Sequence, residues 1–284
     1  VIVVTGATGN VGRALVTHLI AEQAPVRGLT RSPERAGLPA AAQVARFDLS
    51  GDQPEPADLA PLFDGATGLF LHLSAGGTHT EALLEAARAG GVQHVTVLSS
   101  GIVQDGADTS HPLYIAHAQL EASVAASGLA HTFLRPNAFA TNSLQWAPQI
   151  RVGDTVRGPF PGAVTAPIHE ADIAAVAART FLDDGHQGAV HRLTGPEAVT
   201  TEEQIDIIGA TLGRTLRFID VPAEEVGPDL FPHVPPQMLP ALLASFAESV
   251  GVAPEITNTV EAVTGKPART FAQWAQDHKS DFRP

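Results

Sequence analysis

The chain has 284 residues, 44% of them hydrophobic, a formal net charge of −13 and no cysteine. That size and hydrophobicity build one large α/β domain, alone or with a small appendage, and exclude a disordered chain; the missing cysteines exclude disulfides, thiolate nucleophiles and thiolate metal sites and fit a cytoplasmic setting. The acidic balance argues against general affinity for nucleic acid, no apolar run approaches the roughly eighteen residues of a membrane span, and residues 1–4 are too short and wrongly flanked for a signal peptide.

Residues 1–4 (VIVV) are apolar and β-branched, as suits a strand buried on both faces. A glycine-rich turn follows over 5–10, and from Val11 the apolar residues Val11, Leu15, Val16 and Leu19 recur at helical spacing. Strand, tight turn and helix form the context in which a glycine motif holds a dinucleotide. Gly6 turns the chain out of the strand, Gly9 puts no Cβ between backbone and pyrophosphate, and Gly12 lets the helix pack close to the sheet. The helix start offers free N–H groups and a positive dipole end to phosphates. The spacing is G-x-x-G-x-x-G, with Ala7 where the shorter form has glycine.

The second strand, residues 25–30, ends in Arg31 rather than in the acid that usually holds an NAD ribose. A carboxylate there repels a 2′-phosphate, whereas a guanidinium grips it. Arg13, Arg27, Arg31, Arg35 and Arg46 stand against Glu22 and Glu34 in the same stretch, an excess that points to NADP(H) over NAD(H); the competing reading of Arg31 is a solvated loop arginine. Residues 33–42 read as a short helix or turn and 43–47 as a third strand. Asp48 follows, either accepting from an adenine amino group or forming a turn. Pro54, Pro56 and Pro61 break up the next helix. Residues 67–73 are the fourth strand, whose carboxyl end places Leu73 and Ser74 beside the cofactor.

A helix spans 79–89, and a fifth strand over 92–99 brings Ser99 to the same carboxyl edge. Pro112 opens a helix to 127, and a sixth strand over 132–135 ends in the loop Pro136, Asn137, Ala138, Phe139. This regular alternation predicts a Rossmann-type doubly wound parallel sheet, an α/β fold, with 1–140 as the dinucleotide-binding core of a single domain and 195–284 mainly a small substrate or lid region. Further on, short strands are expected at 152–157, 189–193 and 216–219 and helices at 168–182, 201–212, 239–250 and within 260–279. Six prolines between 222 and 240 mark an irregular segment read as a cover or lid.

A Tyr with a Lys four residues later is the usual acid–base pair of short-chain dehydrogenases. The only tyrosine is Tyr114, four residues before Ala118, and the only lysines are Lys266 and Lys279, so that site is absent. Tyr114, His117 and Glu121 instead lie on one line of the helix, with Leu113, Ala116, Leu120 and Val124 expected as its core stripe. Glu121 is expected to orient His117 and raise its pKa. His117 is the candidate to give a proton or hydrogen bond to the acceptor, with Tyr114 second; the alternative is a half-buried structural histidine. His169, Glu170 and Asp172 lack the second histidine of a zinc helix, and no metal site is expected. Ser99-Ser100-Gly101 is not a nucleophile elbow.

Together VTGATGNVG (4–12), LTRSPERA (29–36), VTVLSS (95–100), HAQLEASVAASGLAHTFLRPNAFATN (117–142) and TGKPARTFAQWAQDH (264–278) resemble the NmrA-like branch of the atypical short-chain dehydrogenase/reductases, in particular its NAD(P)H:quinone oxidoreductase and azoreductase-like members. In that group a histidine stands where other branches keep a lysine. The resemblance implies NADP(H) held by Gly6, Thr8, Gly9, Asn10, Val11, Arg31, Leu73 and Ser74, with Pro136 to Phe139 along the nicotinamide, and a substrate cleft between the sheet's carboxyl edge and the C-terminal segment. Asn137, Phe139, Asn142 and Trp146 are the candidates to line that cleft. Two functions stay open. One is a reductase passing hydride to a small quinone, enone or imine. The other is a non-catalytic NADP(H) sensor that reports to a protein partner. Neither needs nucleic acid or a membrane.

Overall fold

The computed structural model describes residues 1–48, 55–231 and 234–283. Its strands are β1 (Ile2–Val4), β2 (Val26–Thr30), β3 (Gln43–Arg46), β4 (Gly68–His72), β5 (His94–Leu98), β6 (Ala130–Pro136), β7 (Thr155–Gly158), β8 (Val164–Thr165), β9 (Val190–Leu193), β10 (Val199–Thr200) and β11 (Arg217–Asp220). The helices are α1 (Asn10–Ala21), α2 (Pro56–Leu59), α3 (Leu73–Gly76), α4 (Thr80–Ala89), α5 (Pro112–Ala126), α6 (Ala147–Val152), α7 (Glu170–Leu182), α8 (Thr201–Leu212), α9 (Leu239–Ser249), α10 (Thr259–Thr264) and α11 (Phe271–Asp277). The chain forms two compact units, Val1–Asn137 with Glu170–Leu193 and Thr259–Lys266, and Ala138–His169 with Thr194–Asn258 and Pro267–Pro284.

The first unit holds a parallel sheet in the order β3-β2-β1-β4-β5-β6-β9. Strand order reverses between β1 and β4, and there the loops at the carboxyl ends diverge to leave a crevice for a ligand. All three residues of β1 are buried, as its apolar sequence demands of a strand covered on both faces. The core runs through Val3, Leu29, Leu69, Leu71, Val95, Val97 and Phe133, with Leu83 and Val124 packing from α4 and α5. The sixth strand is longer than its apolar signal because β5 and β9 pair with it on both sides. Leu73 leaves the strand expected for it and begins α3.

The second unit has its own core of Trp146, Ile150, Ile205, Ile208, Phe271, Trp274 and Phe282. Here the β-branched Val152, expected to open a strand, ends α6 instead and is 88% exposed. Arg214 binds the carbonyls of Ile150 and Gly153 and the carboxylate of Asp154, and this satisfies the helix end before β7 starts at Thr155. Ile168, expected in a helix, bridges to Phe139, and α7 begins only at Glu170. The described part of the proline-rich segment forms two short 3-10 turns, Ala223–Glu225 and Pro236–Met238.

Candidate functional site

The glycine turn is set by two independent constraints. Gly6 has φ of +58°, a conformation that side chains oppose. A Cβ on Gly12 would fall on the carbonyl of Gly6, so α1 can approach the turn only with glycine there. Gly9 is the N-cap of α1 and offers no side-chain cap, which leaves the first-turn N–H groups of Asn10, Val11 and Gly12 to be satisfied by a ligand. Thr8, Gly9 and Asn10 are exposed, while Val11 and Gly12 are buried behind them.

Beside this turn lies a cavity of ≈ 450 Å³ lined by Gly6, Thr8, Arg31, Asp48, His72 and Ser74, among others. Four separate stretches of sequence meet there. The arginine excess of the sequence resolves into distinct roles. Arg13 binds the carbonyls of Ala36 and Gly37, Arg27 those of Leu62 and Asp64, and Arg35 the hydroxyl of Ser32. Arg31 makes no hydrogen bond or ion pair among the described residues and lines the cavity. A helix start whose N–H groups are left open by a glycine N-cap, with an uncommitted guanidinium beside it, fits a phosphorylated dinucleotide. Leu73 is half-buried and packs on the core, next to Ser74 in the cavity wall.

His72 was not anticipated as a site residue. It is the last residue of β4, and a Cβ on Gly6 would strike its Nε2 and Cδ2. Burial holds its pKa below the ordinary histidine value. The available signal was positional: an imidazole ending an otherwise apolar strand at the reversal of strand order.

On α5 the structure corrects three expectations. Leu113 is 44% exposed and Ala116 only half-buried, so the core stripe reduces to Leu120 and Val124. Glu121 is buried and accepts from Ser99 Oγ at 2.6 Å and from Arg135 Nε and Nη2 at 2.9 and 2.6 Å. It is committed to β5 and β6 and does not orient His117. Nor is the His117 pKa raised: burial lowers it, outweighing the opposing pull of Glu121. The His117 Nδ1 is buried without a hydrogen-bond partner among the described residues. Tyr114 is half-buried one turn before it. The helix start is capped by His111, whose Nδ1 accepts from the Leu113 N–H.

Ser99 reaches the carboxyl edge of the sheet, but its side chain is turned inward to Glu121. Pro136 closes β6 with its carbonyl accepting from the Gly101 N–H, and the Asn137 amide fills the space a Cβ on Gly101 would need.

The second unit contains a separate cavity of ≈ 410 Å³. Phe139, Asn142, Trp146, Pro167, Leu242 and Phe246 lie in its wall, and no described lining residue is charged. Buried Gln204 accepts from Ser143 Oγ at 3.0 Å and donates to Thr165 Oγ1 at 3.2 Å, fixing polar groups in an apolar surround. Phe139, Asn142 and Trp146 thus come together in one cavity wall, while Asn137 stays in the first unit.

A family model described as NAD(P)H-binding matches residues 6–184. The (4-alkanoyl-5-oxo-2,5-dihydrofuran-3-yl)methyl phosphate reductase of Streptomyces griseus is 34% identical over 285 residues, spanning 100% of this chain and 99% of its own length. The NAD(P)H azoreductase of Xenophilus azovorans is 30% identical over 291 residues, spanning 99% of each. Among solved structures, the NADPH-dependent quinone oxidoreductase of Escherichia coli, complexed with NADPH, shares the fold with a TM-score of 0.78 at 24% identity, over 98% of this chain and 99% of that one.

Proposed function

The chain belongs to the NAD(P)H-binding family, among the NmrA-like atypical short-chain dehydrogenase/reductases, and from that premise we propose that it is an NADPH-dependent reductase of small acceptors with a polarised double bond. The observation that carries this reading is the convergence of the glycine turn, Arg31, Asp48 and Ser74 on one cavity where the strand order reverses. Arg31 supports NADPH over NADH, because a guanidinium pairs with a 2′-phosphate that NADH lacks.

When bound, the coenzyme supplies the hydride. The chain's own residues hold it by backbone N–H groups at the start of α1 and supply the accompanying proton or hydrogen bond. That second task falls to His117, with Tyr114 behind it. Its ring is neutral near pH 7, so one nitrogen carries hydrogen and can donate. Quinones, enones and imines carry their own electron sink and ask little of an acid, which suits a site with no Tyr–Lys pair. The names of both relatives describe conjugated double bonds, an unsaturated lactone and an azo group. The uncharged, mainly apolar cavity of the second unit suits acceptors of this kind.

The test is NADPH and NADH consumption across a panel of quinones, enones, imines and azo compounds, with wild type and Arg31→Asp. Turnover with NADPH preferred, and a variant weakened for NADPH about tenfold or more but little for NADH, is the expected result. Tight NADPH binding with no turnover on any acceptor overturns it in favour of a sensor that reports coenzyme state to a protein partner.

A further inference from the structure

His72 occupies a position that the sheet itself would fill with an apolar side chain. Leu69, Phe70 and Leu71 before it are buried, and β4 lies between β1 and β5. Its imidazole closes onto the glycine turn with the Nε2 edge, the same atom a Cβ on Gly6 would meet first. It faces the cavity that holds Thr8, Arg31, Asp48 and Ser74. Among the described residues neither ring nitrogen has a hydrogen-bond partner.

The charges around it are few. Arg31 at the end of β2 and Asp48 after β3 share its cavity. The neighbouring strands β1 and β5 run into Thr5, Gly6 and Ser99, and α3 carries no titratable group. Against α3 pack α4, with Glu81, Glu85 and Arg88 and with His79 before it, and α5, with Tyr114, His117 and Glu121. Of these, Glu121 is neutralised by Arg135. No anion is therefore fixed against the His72 ring apart from Asp48 at the cavity rim, and burial keeps the free ring neutral near pH 7. A bound phosphate reverses that balance, since it brings negative charge to a cavity shared by the ring.

Resting on the coenzyme reading above, we propose that His72 is an anion-binding residue of the dinucleotide site, which takes a proton from solvent as the coenzyme binds and donates Nε2–H to one of its phosphate oxygens. Coenzyme affinity then rises as pH falls through the histidine range. The proton remains on the ring for the life of the complex and returns to solvent on release, so charge and protons balance over a cycle.

Titration calorimetry with NADPH, in buffers of different ionisation heat between about pH 5.5 and pH 8.5, reads the proton count directly. Wild type is expected to take up part of a proton per NADPH near neutrality and to bind about tenfold tighter at about pH 6 than at about pH 8. NADH separates the diphosphate from the titrating 2′-phosphate, and the uptake assigned to His72 is the part lost in His72→Gln. That variant is expected to weaken binding about tenfold at the lower pH and little at the higher. Equal proton uptake by variant and wild type, or equal weakening at both pH values, overturns the proposal. If the variant does not fold, the wild-type histidine proton resonances followed with and without NADPH decide: one ring whose titration moves upward on binding supports the proposal, and none overturns it. Wild type that binds NADPH with no proton uptake overturns the role of His72 alone, whereas no binding at any pH overturns the coenzyme reading with it.

Discussion

At the scale of single residues, the separation of His117 from Glu121 decides what the histidine can do. Their spacing on α5 suggests a carboxylate-oriented base, but Glu121 is saturated by Ser99 and by both arms of Arg135. His117 is left half-buried and neutral, with a buried Nδ1 that no described residue satisfies. Such a ring can donate one hydrogen bond but is not half of a fixed acid–base pair; in the function proposed above, that bond goes to the acceptor. His117→Ala is expected to lower kcat about a hundredfold while leaving the NADPH dissociation constant within about twofold; steady-state kinetics beside calorimetry check this, and full turnover removes His117 from the chemistry. The place of Arg31 in the cavity wall was legible because it follows directly on the carboxyl end of the second strand. The commitment of Glu121 was not, because its partner Arg135 comes from another strand and only pairing of β5 with β6 brings the two within reach.

At the scale of elements, the glycines of the first turn divide their labour, and substitution separates the shares. A Cβ on Gly12 meets the Gly6 carbonyl, so α1 must shift from the turn. A Cβ on Gly9 has only the Gly6 carbonyl nearby, at 3.3 Å, and the backbone there is extended, with φ of −79°. Gly12→Ala is therefore expected to destabilise the fold by about 1–3 kcal/mol as well as to weaken NADPH binding. Gly9→Ala is expected to lose most NADPH affinity with under about 1 kcal/mol of stability. Denaturant titrations and calorimetry on both variants check the order; equal loss of stability refutes it. This division could be read from the sequence because strand, turn and helix are contiguous there. Boundaries were less legible where partners are remote. Val152 has the composition of a strand, but Arg214, sixty-two residues further on, ends a helix on it.

At the scale of the molecule, the alternation of strands and helices up to β6 gave the parallel sheet, but not the interleaving of two units. Residues 138–169, 194–258 and 267–284 leave the first unit, and α7 with β9, then α10, return to it. Periodicity reports local structure and carries no record of which unit an element rejoins. The pairing of β6 with both β5 and β9 gathers His94, His131, His186 and His191, none of which lines the cavity beside the glycine turn. His186 Nδ1 lies 3.2 Å from His191 Nε2, and Thr132 Oγ1 bonds His94 Nε2 at 3.1 Å. Burial, then the charges of His131 and His186, push the His94 pKa down to about 4, and burial with His186 lowers that of His191. A histidine with a depressed folded-state pKa contributes stability that is present above its unfolded value and lost as pH falls toward the folded one, since the unfolded chain binds the proton first. Stability is thus expected to fall between about pH 6.5 and pH 4. For His94, whose ring keeps part of its surface in water, the loss is about 1–2 kcal/mol, or about 4 °C in Tm. His94→Asn, which cannot take up the proton and keeps an amide for Thr132, should flatten the slope of Tm against pH in that window. An unchanged slope in the variant would place the acid sensitivity outside this cluster.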